Sequence, residues 1–287
     1  MIPYMSPFSA LFSCFKPVGS NTDQSTSKKT SNSSTPSNKF STMAGTTYLI
    51  TGAARGLGKA MVETYLARPN NTVIAVARTT SSAESLKSLP AGKDSKLIVV
   101  AYDSRDTEGP KKAIEQLKSQ GITTIDTVIA NAGISSDYAP VASVSLDVLK
   151  SHVEVNAYGP LLLFQAVLPL LLKSSNPKFA ALGTPIASIT GMESRPFPMA
   201  AYGMSKVMLH WMVCKAHFDH PELTAFVLDP GFVQTDMGNE GAKTFGMEKA
   251  FITVEDSANF LVSTIDKATR EETSGHFPTI EGGDFKW

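Results

Sequence analysis

The sequence predicts a doubly wound α/β fold, a parallel sheet covered by helices on both faces. Two observations carry that prediction. From Thr46 onward, short β-branched or apolar runs recur, and longer runs of helical periodicity separate them. The short runs are apolar throughout rather than alternating, the pattern of strands buried on both faces. Right-handed crossovers between such strands then wind the chain outward in both directions.

The strands are expected in this order: TTYLIT (46–51), NTVIAVA (71–77), SKLIVVAY (95–102), IDTVIA (125–130), KFAALG (178–183) and LTAFVLD (223–229). KAMVETYLA (59–67) and KKAIEQLKSQG (111–121) read as covering helices. LLLFQAVLPLLL (161–172) is the most apolar stretch; it is too short to span a bilayer and reads as a core helix. No internal repeat is visible.

Composition narrows the partners. The chain has 287 residues, enough for one large domain, with 26 basic and 26 acidic side chains. That balance argues against nucleic acid or an anionic membrane as the main partner. Cys14 and Cys214 are the only cysteines, so neither a disulfide framework nor a Cys-based zinc site is expected, and a reducing, cytoplasmic setting follows. Residues 1–43 read as a tail, because 19–42 are rich in Ser, Thr and Asn and nearly free of core-forming side chains. The first residues make a poor secretory signal; an organellar targeting role stays open. The folded domain is expected over 44–287.

The glycines of TGAARGLG follow the first strand and open the first helix. Gly52, Gly56 and Gly58 suit the place where a dinucleotide pyrophosphate rests on a helix N-terminus, with no Cβ to hold it off. Further on, Tyr202 and Lys206 are four apart in a helical stretch and share a face. ASITG places Ser188 fourteen residues before Tyr202. Asn131, Ala132 and Gly133 end the fourth strand, Asn156 lies in an apolar helix, and Pro230, Gly231, Val233 and Thr235 follow the sixth strand. An open α/β sheet binds its ligand at those strand ends.

These motifs, in this order over 46–287, resemble the short-chain dehydrogenase/reductase superfamily, with its single-domain Rossmann sheet. The text further resembles the norsolorinic-acid ketoreductase group and the sniffer-like carbonyl reductases. One departure is Ala130, where many members carry Asn. The resemblance implies Tyr202 as proton donor to a carbonyl oxygen, Ser188 as its hydrogen-bonding partner, Lys206 lowering the Tyr202 pKa and gripping the nicotinamide ribose, Asn156 holding a water and Thr235 binding the carboxamide. Thr51, Gly52, Gly56, Leu57, Gly58, Asn131, Ala132, Gly133, Pro230, Gly231 and Val233 complete the cofactor site. The substrate is then a small carbonyl compound. A non-catalytic redox sensor, or an alcohol dehydrogenase running oxidatively, is the alternative; a homo-oligomer stays open.

The cofactor is expected to be NADP(H). The second strand ends at Ala77 without the carboxylate that would hold two ribose hydroxyls; Arg78 and Thr79 follow instead. Arg55 adds a second positive charge, and Asp103 should face the adenine. His210, His217 and His220 read as a solvated helix face, with no metal. Met192, Met199, Met204, Met208 and Met212 read as flexible thioethers around the substrate, and 236–251 as a mobile lid.

Overall fold

The computed structural model describes residues 45–287; the expectations for residues 1–43 lie outside the described residues. All six expected strands form: β1 (Thr47–Thr51), β2 (Thr72–Ala77), β3 (Lys96–Ala101), β4 (Thr127–Ala130), β5 (Lys178–Leu182) and β6 (Thr224–Leu228). They make one wholly parallel sheet in the order β3-β2-β1-β4-β5-β6. Beyond the edge strand, residues 275–279 run beside β6. The Gly275 N–H bonds the Ala225 carbonyl at 2.8 Å and the Asp229 N–H bonds the Pro278 carbonyl at 3.0 Å.

Seven α-helices are described: α1 (Gly56–Ala67), α2 (Gly109–Ser119), α3 (Leu146–Val153), α4 (Gly159–Leu171), α5 (Ala200–Asp219), α6 (Asp236–Thr244) and α7 (Val254–Lys267). The alternating faces of the strands split the core in two. Ala113, Ile114 and Leu117 of α2, Leu163, Phe164 and Val167 of α4, and Leu209 and Val213 of α5 pack on one face. Met61, Val62, Tyr65 and Leu66 of α1 and Leu261, Val262 and Ile265 of α7 pack on the other. The wholly apolar strands thus find a helix layer on each side.

The apolar stretch is longer than expected. α3 and α4 join through a π-turn (Glu154–Tyr158) into one helical run, Leu146–Leu171, of 26 residues with hydropathy 1.3. By length and composition alone such a run could cross a membrane; half of its apolar window is buried within the domain. Pro160 accounts for the π-turn: it has no N–H to give the Asn156 carbonyl four residues back, so the ladder shifts by one.

Candidate active site

The strand order reverses between β1 and β4, and there a cleft of about 910 Å³ opens at the C-terminal ends of the strands. Its floor is laced by hydrogen bonds. The Thr51 hydroxyl accepts from the Asn131 and Ala132 N–H groups, both at 3.0 Å. The Asn131 amide donates back to the Thr51 carbonyl at 2.7 Å. Thr51 and Asn131 therefore weld the ends of β1 and β4 together.

Gly52 and Gly56 adopt φ of 64° and 53°, a region that favours glycine. A Cβ on Gly58 would sit 2.2 Å from the Gly52 carbonyl oxygen, so α1 can start this close to β1 only with glycine there. Gly58 consequently packs the turn and does not line the cleft. No side chain caps the N-terminus of α1 and no acid lies in its first turn. This uncapped turn, opening on a cleft lined by Gly52, Gly56, Leu57, Ala132 and Gly133, fits an anionic pyrophosphate.

At the far end of the cleft Arg78 and Asp103 lie 3.5 Å apart as an exposed ion pair. Asp103 also accepts from the Arg105 N–H at 2.9 Å. Arg55 reaches across the mouth to Asp236, at 3.0 Å.

At the other end stand Tyr202 and Lys206, one turn apart on α5. Lys206 is buried, and its Nζ donates to the Leu182 carbonyl at the end of β5 at 2.8 Å. Desolvation lowers its pKa to about 8. Its Nζ lies 5.9 Å from the centre of the Tyr202 ring. The Tyr202 phenol is raised above its ordinary value, first by burial and then by the Asp229 charge; a hydrogen bond with the Thr184 side chain works the other way. The lowering expected from Lys206 is therefore not what governs the phenol here, and Tyr202 holds its proton at neutral pH.

Several expected site residues lie elsewhere. Ser188 is fully buried and does not line the cleft. Its hydroxyl donates to the Lys286 carbonyl at 2.6 Å and accepts from the Gly191 N–H at 2.9 Å, because the loop after β5 folds over the chain's last residues. The hydroxyl beside Tyr202 belongs to Thr184, which the sequence reading missed. Asn156 is also fully buried; its Oδ1 accepts from the Ile134 N–H at 2.8 Å and its Nδ2 donates to the Ile134 carbonyl at 2.9 Å, so it braces the loop after β4. Gly231 (φ 77°) and Val233 shape the turn after β6 from behind, while Pro230 and Thr235 reach the cleft. Thr235 is the N-cap of α6, its hydroxyl accepting from the Gly238 N–H at 3.1 Å. His210 is buried, not solvated, and none of the five methionines lines the cleft; Met204 and Met208 are exposed on the outer side of α5. Among the described residues no group of three or more His, Cys, Asp or Glu gathers at one point.

The fold and the cleft define a dinucleotide-binding α/β oxidoreductase in which a tyrosine and a lysine share one helix face. The sequence comparison then places it: the family of short chain dehydrogenases matches residues 46–245, and the chain belongs to that family. It is 44% identical over 243 residues to the norsolorinic acid ketoreductase of Dothistroma septosporum, covering 83% of this chain and 91% of that one. To the norsolorinic acid ketoreductase of Aspergillus parasiticus it is 41% identical over 248 residues, covering 84% and 91%. Among solved structures, the NADPH-bound carbonyl reductase from chicken fatty liver has a TM-score of 0.73 at 23% identity, covering 85% of this chain and all of that one. The carbonyl reductase Sniffer of Drosophila melanogaster has a TM-score of 0.74 at 24% identity, with the same coverage. At those identities the structural likeness speaks for the fold.

Proposed function

We propose that this enzyme reduces an aldehyde or ketone, with NADPH as cofactor and Tyr202 as the proton donor. The observation that carries the reading is the pairing of Tyr202 and Lys206 at one end of a cleft whose other end is an uncapped helix N-terminus beside glycines. When bound, the nicotinamide supplies the hydride. The chain's residues do the rest. The uncapped turn at Gly56–Gly58 receives the pyrophosphate. Arg78 and Arg55 offer two guanidinium forks to a ribose 2′-phosphate at a strand end that lacks the competing carboxylate. Lys206, already aimed into the cleft by Leu182, is placed to grip a ribose hydroxyl. Tyr202, protonated at neutral pH, gives its proton to the carbonyl oxygen as the alcohol forms, and proton donation of this kind is worth about a hundred- to ten-thousandfold.

An aromatic wall favours an aromatic or polyketide-type ketone. Tyr138 and Phe245 meet edge to face at 5.3 Å, and Phe197 lies 5.5 Å from Phe245. These rings come from the loop after β4, the end of α6 and the loop before α5. The norsolorinic acid ketoreductases, at 41–44% identity, support the same class of substrate. The test is cofactor oxidation with a panel of aromatic polyketide-like ketones and simple aldehydes. Turnover is expected, and fastest with the aromatic ketones; cofactor binding without turnover on any carbonyl would overturn the reading.

A further inference from the structure

We propose that Thr184, rather than Ser188, is the catalytic hydroxyl that hydrogen-bonds the substrate oxygen beside Tyr202, and that His210 is the positioning residue that holds Thr184 in place. The assignment rests on the carbonyl-reductase reading above.

The hydrogen bonds decide between the two hydroxyls. A hydroxyl has one proton to give. Ser188 gives its proton to the Lys286 carbonyl and takes the Gly191 N–H, at 0% exposure. It has no free proton and no route to the cleft. Thr184 stands two residues beyond Leu182, the residue whose carbonyl receives Lys206. Its oxygen accepts from the Ile186 N–H at 3.3 Å, capping the short turn Pro185–Ala187. That bond uses a lone pair and leaves the Thr184 proton free. The same side chain meets the Tyr202 phenol, and it is half-buried rather than sealed. An oxygen bonded to Tyr202 therefore has Thr184 as its second donor.

His210 lies two turns beyond Tyr202 and one beyond Lys206 on α5, so all three share a face. Its Nε2 accepts from the Thr184 backbone N–H at 3.3 Å. This fixes the ring's proton on Nδ1, which is buried with no hydrogen-bond partner among the described residues. Leaving a polar atom unpaired in the core costs stability, and the return is a fixed acceptor under Thr184. Gly183 makes room for it, since a Cβ there would fall 2.4 Å from Nε2. Phe277 and Trp287 wall the ring at 4.7 and 5.7 Å. Burial, and then the Lys206 charge, lower the His210 pKa to about 3, so the acceptor persists over the working pH range.

The test compares Thr184→Val, Thr184→Ala, Thr184→Ser and Ser188→Ala on one substrate, with cofactor affinity followed by fluorescence and folding by melting temperature. Thr184→Val and Thr184→Ala are expected to lower kcat by about a hundredfold with cofactor affinity unchanged, the size seen when one donor to a reacting oxygen is removed. Thr184→Ser and Ser188→Ala should stay within about fivefold of wild type, given the restored and the uninvolved hydroxyl. For His210, His210→Leu should lower kcat about tenfold without raising the KM for cofactor, and His210→Gln, which can still accept, should recover most of it. If the Thr184 variants retain more than a third of wild-type kcat, or Ser188→Ala falls as far as Thr184→Val, the assignment is overturned. If wild type reduces no carbonyl at all, the reductase reading itself fails and this assignment falls with it.

Discussion

Arg55 and Asp236 meet at 3.0 Å, tying the glycine turn before α1 to the first residue of α6 across the mouth of the cleft. Both side chains are more than three-quarters exposed, so the pair is worth about 0–1 kcal/mol and yields easily to a better partner. A phosphate is such a partner, at roughly 1.5–3 kcal/mol for each charge-assisted bond.

The cofactor preference follows from that difference. NADPH should exceed NADH in kcat/KM by at least about a hundredfold, two guanidinium contacts against none. Arg78→Ala and Arg55→Ala should each reduce the preference at least about tenfold. Asp236→Asn, which frees Arg55, should raise it by a few-fold. Equal use of the two cofactors by wild type, or an unchanged preference in Arg78→Ala, would refute the assignment.

Tyr202→Phe should fold normally and bind cofactor, yet lose about a hundred- to ten-thousandfold in kcat. Lys206→Ala should lower both turnover and cofactor affinity. Steady-state kinetics beside a cofactor titration separates the two effects. A Tyr202→Phe enzyme with a tenth of wild-type turnover would exclude Tyr202 as the donor.

Two glycine substitutions should act in opposite directions. Gly58→Ala drives a Cβ to 2.2 Å from the Gly52 carbonyl and should cost at least about 3 kcal/mol. Gly203→Ala, in the interior of α5, meets only Ile186 atoms at 3.5 Å and beyond, and should gain about 0.5–1 kcal/mol from helix propensity. Denaturant melts of both variants give the comparison.

Asn156→Ala removes both partners of the Ile134 backbone and one of Ser205. Stranding a buried N–H and carbonyl should cost about 2–4 kcal/mol. The loop carrying Tyr138 should loosen with it, so the KM for a bulky ketone is expected to rise; an unaltered melting temperature would contradict the brace.

Asp229 introduces a pH dependence. Burial raises its carboxyl to about 6; the Glu281 charge adds to this, while the Gly231 N–H, Arg195 and Thr279 oppose it. The native state therefore holds this proton more tightly than the unfolded chain, whose carboxyl titrates near 3.9. Its contribution to stability is full below about pH 3.9 and is lost as pH rises towards 6. Asp229→Asn should thus be more stable than wild type at about pH 7.5, by roughly 1–3 kcal/mol, with the difference shrinking near pH 4. Thermal melts across that range would show an equal gain at all pH values if the carboxyl were not the cause.

What the sequence determined was everything that local pattern encodes. Apolar runs such as NTVIAVA and LTAFVLD specify strands because both faces must be buried, and Gly52 and Gly56 mark the turn because their positive φ disfavours a side chain. Tyr202 and Lys206 were legible because helix geometry puts residues four apart on one face. The tertiary structure alone decided which hydroxyl stands beside Tyr202. Ser188 has a plausible spacing, but the loop after β5 turns twice through short helical turns, and the chain's last residues take the Ser188 proton. Asn156 and His210 were likewise open to more than one reading, since each is given its role by backbone groups of Ile134 and Thr184 far away in the chain. Hydrogen bonds over such separations depend on the path of whole loops, and single-residue patterns carry no record of that path.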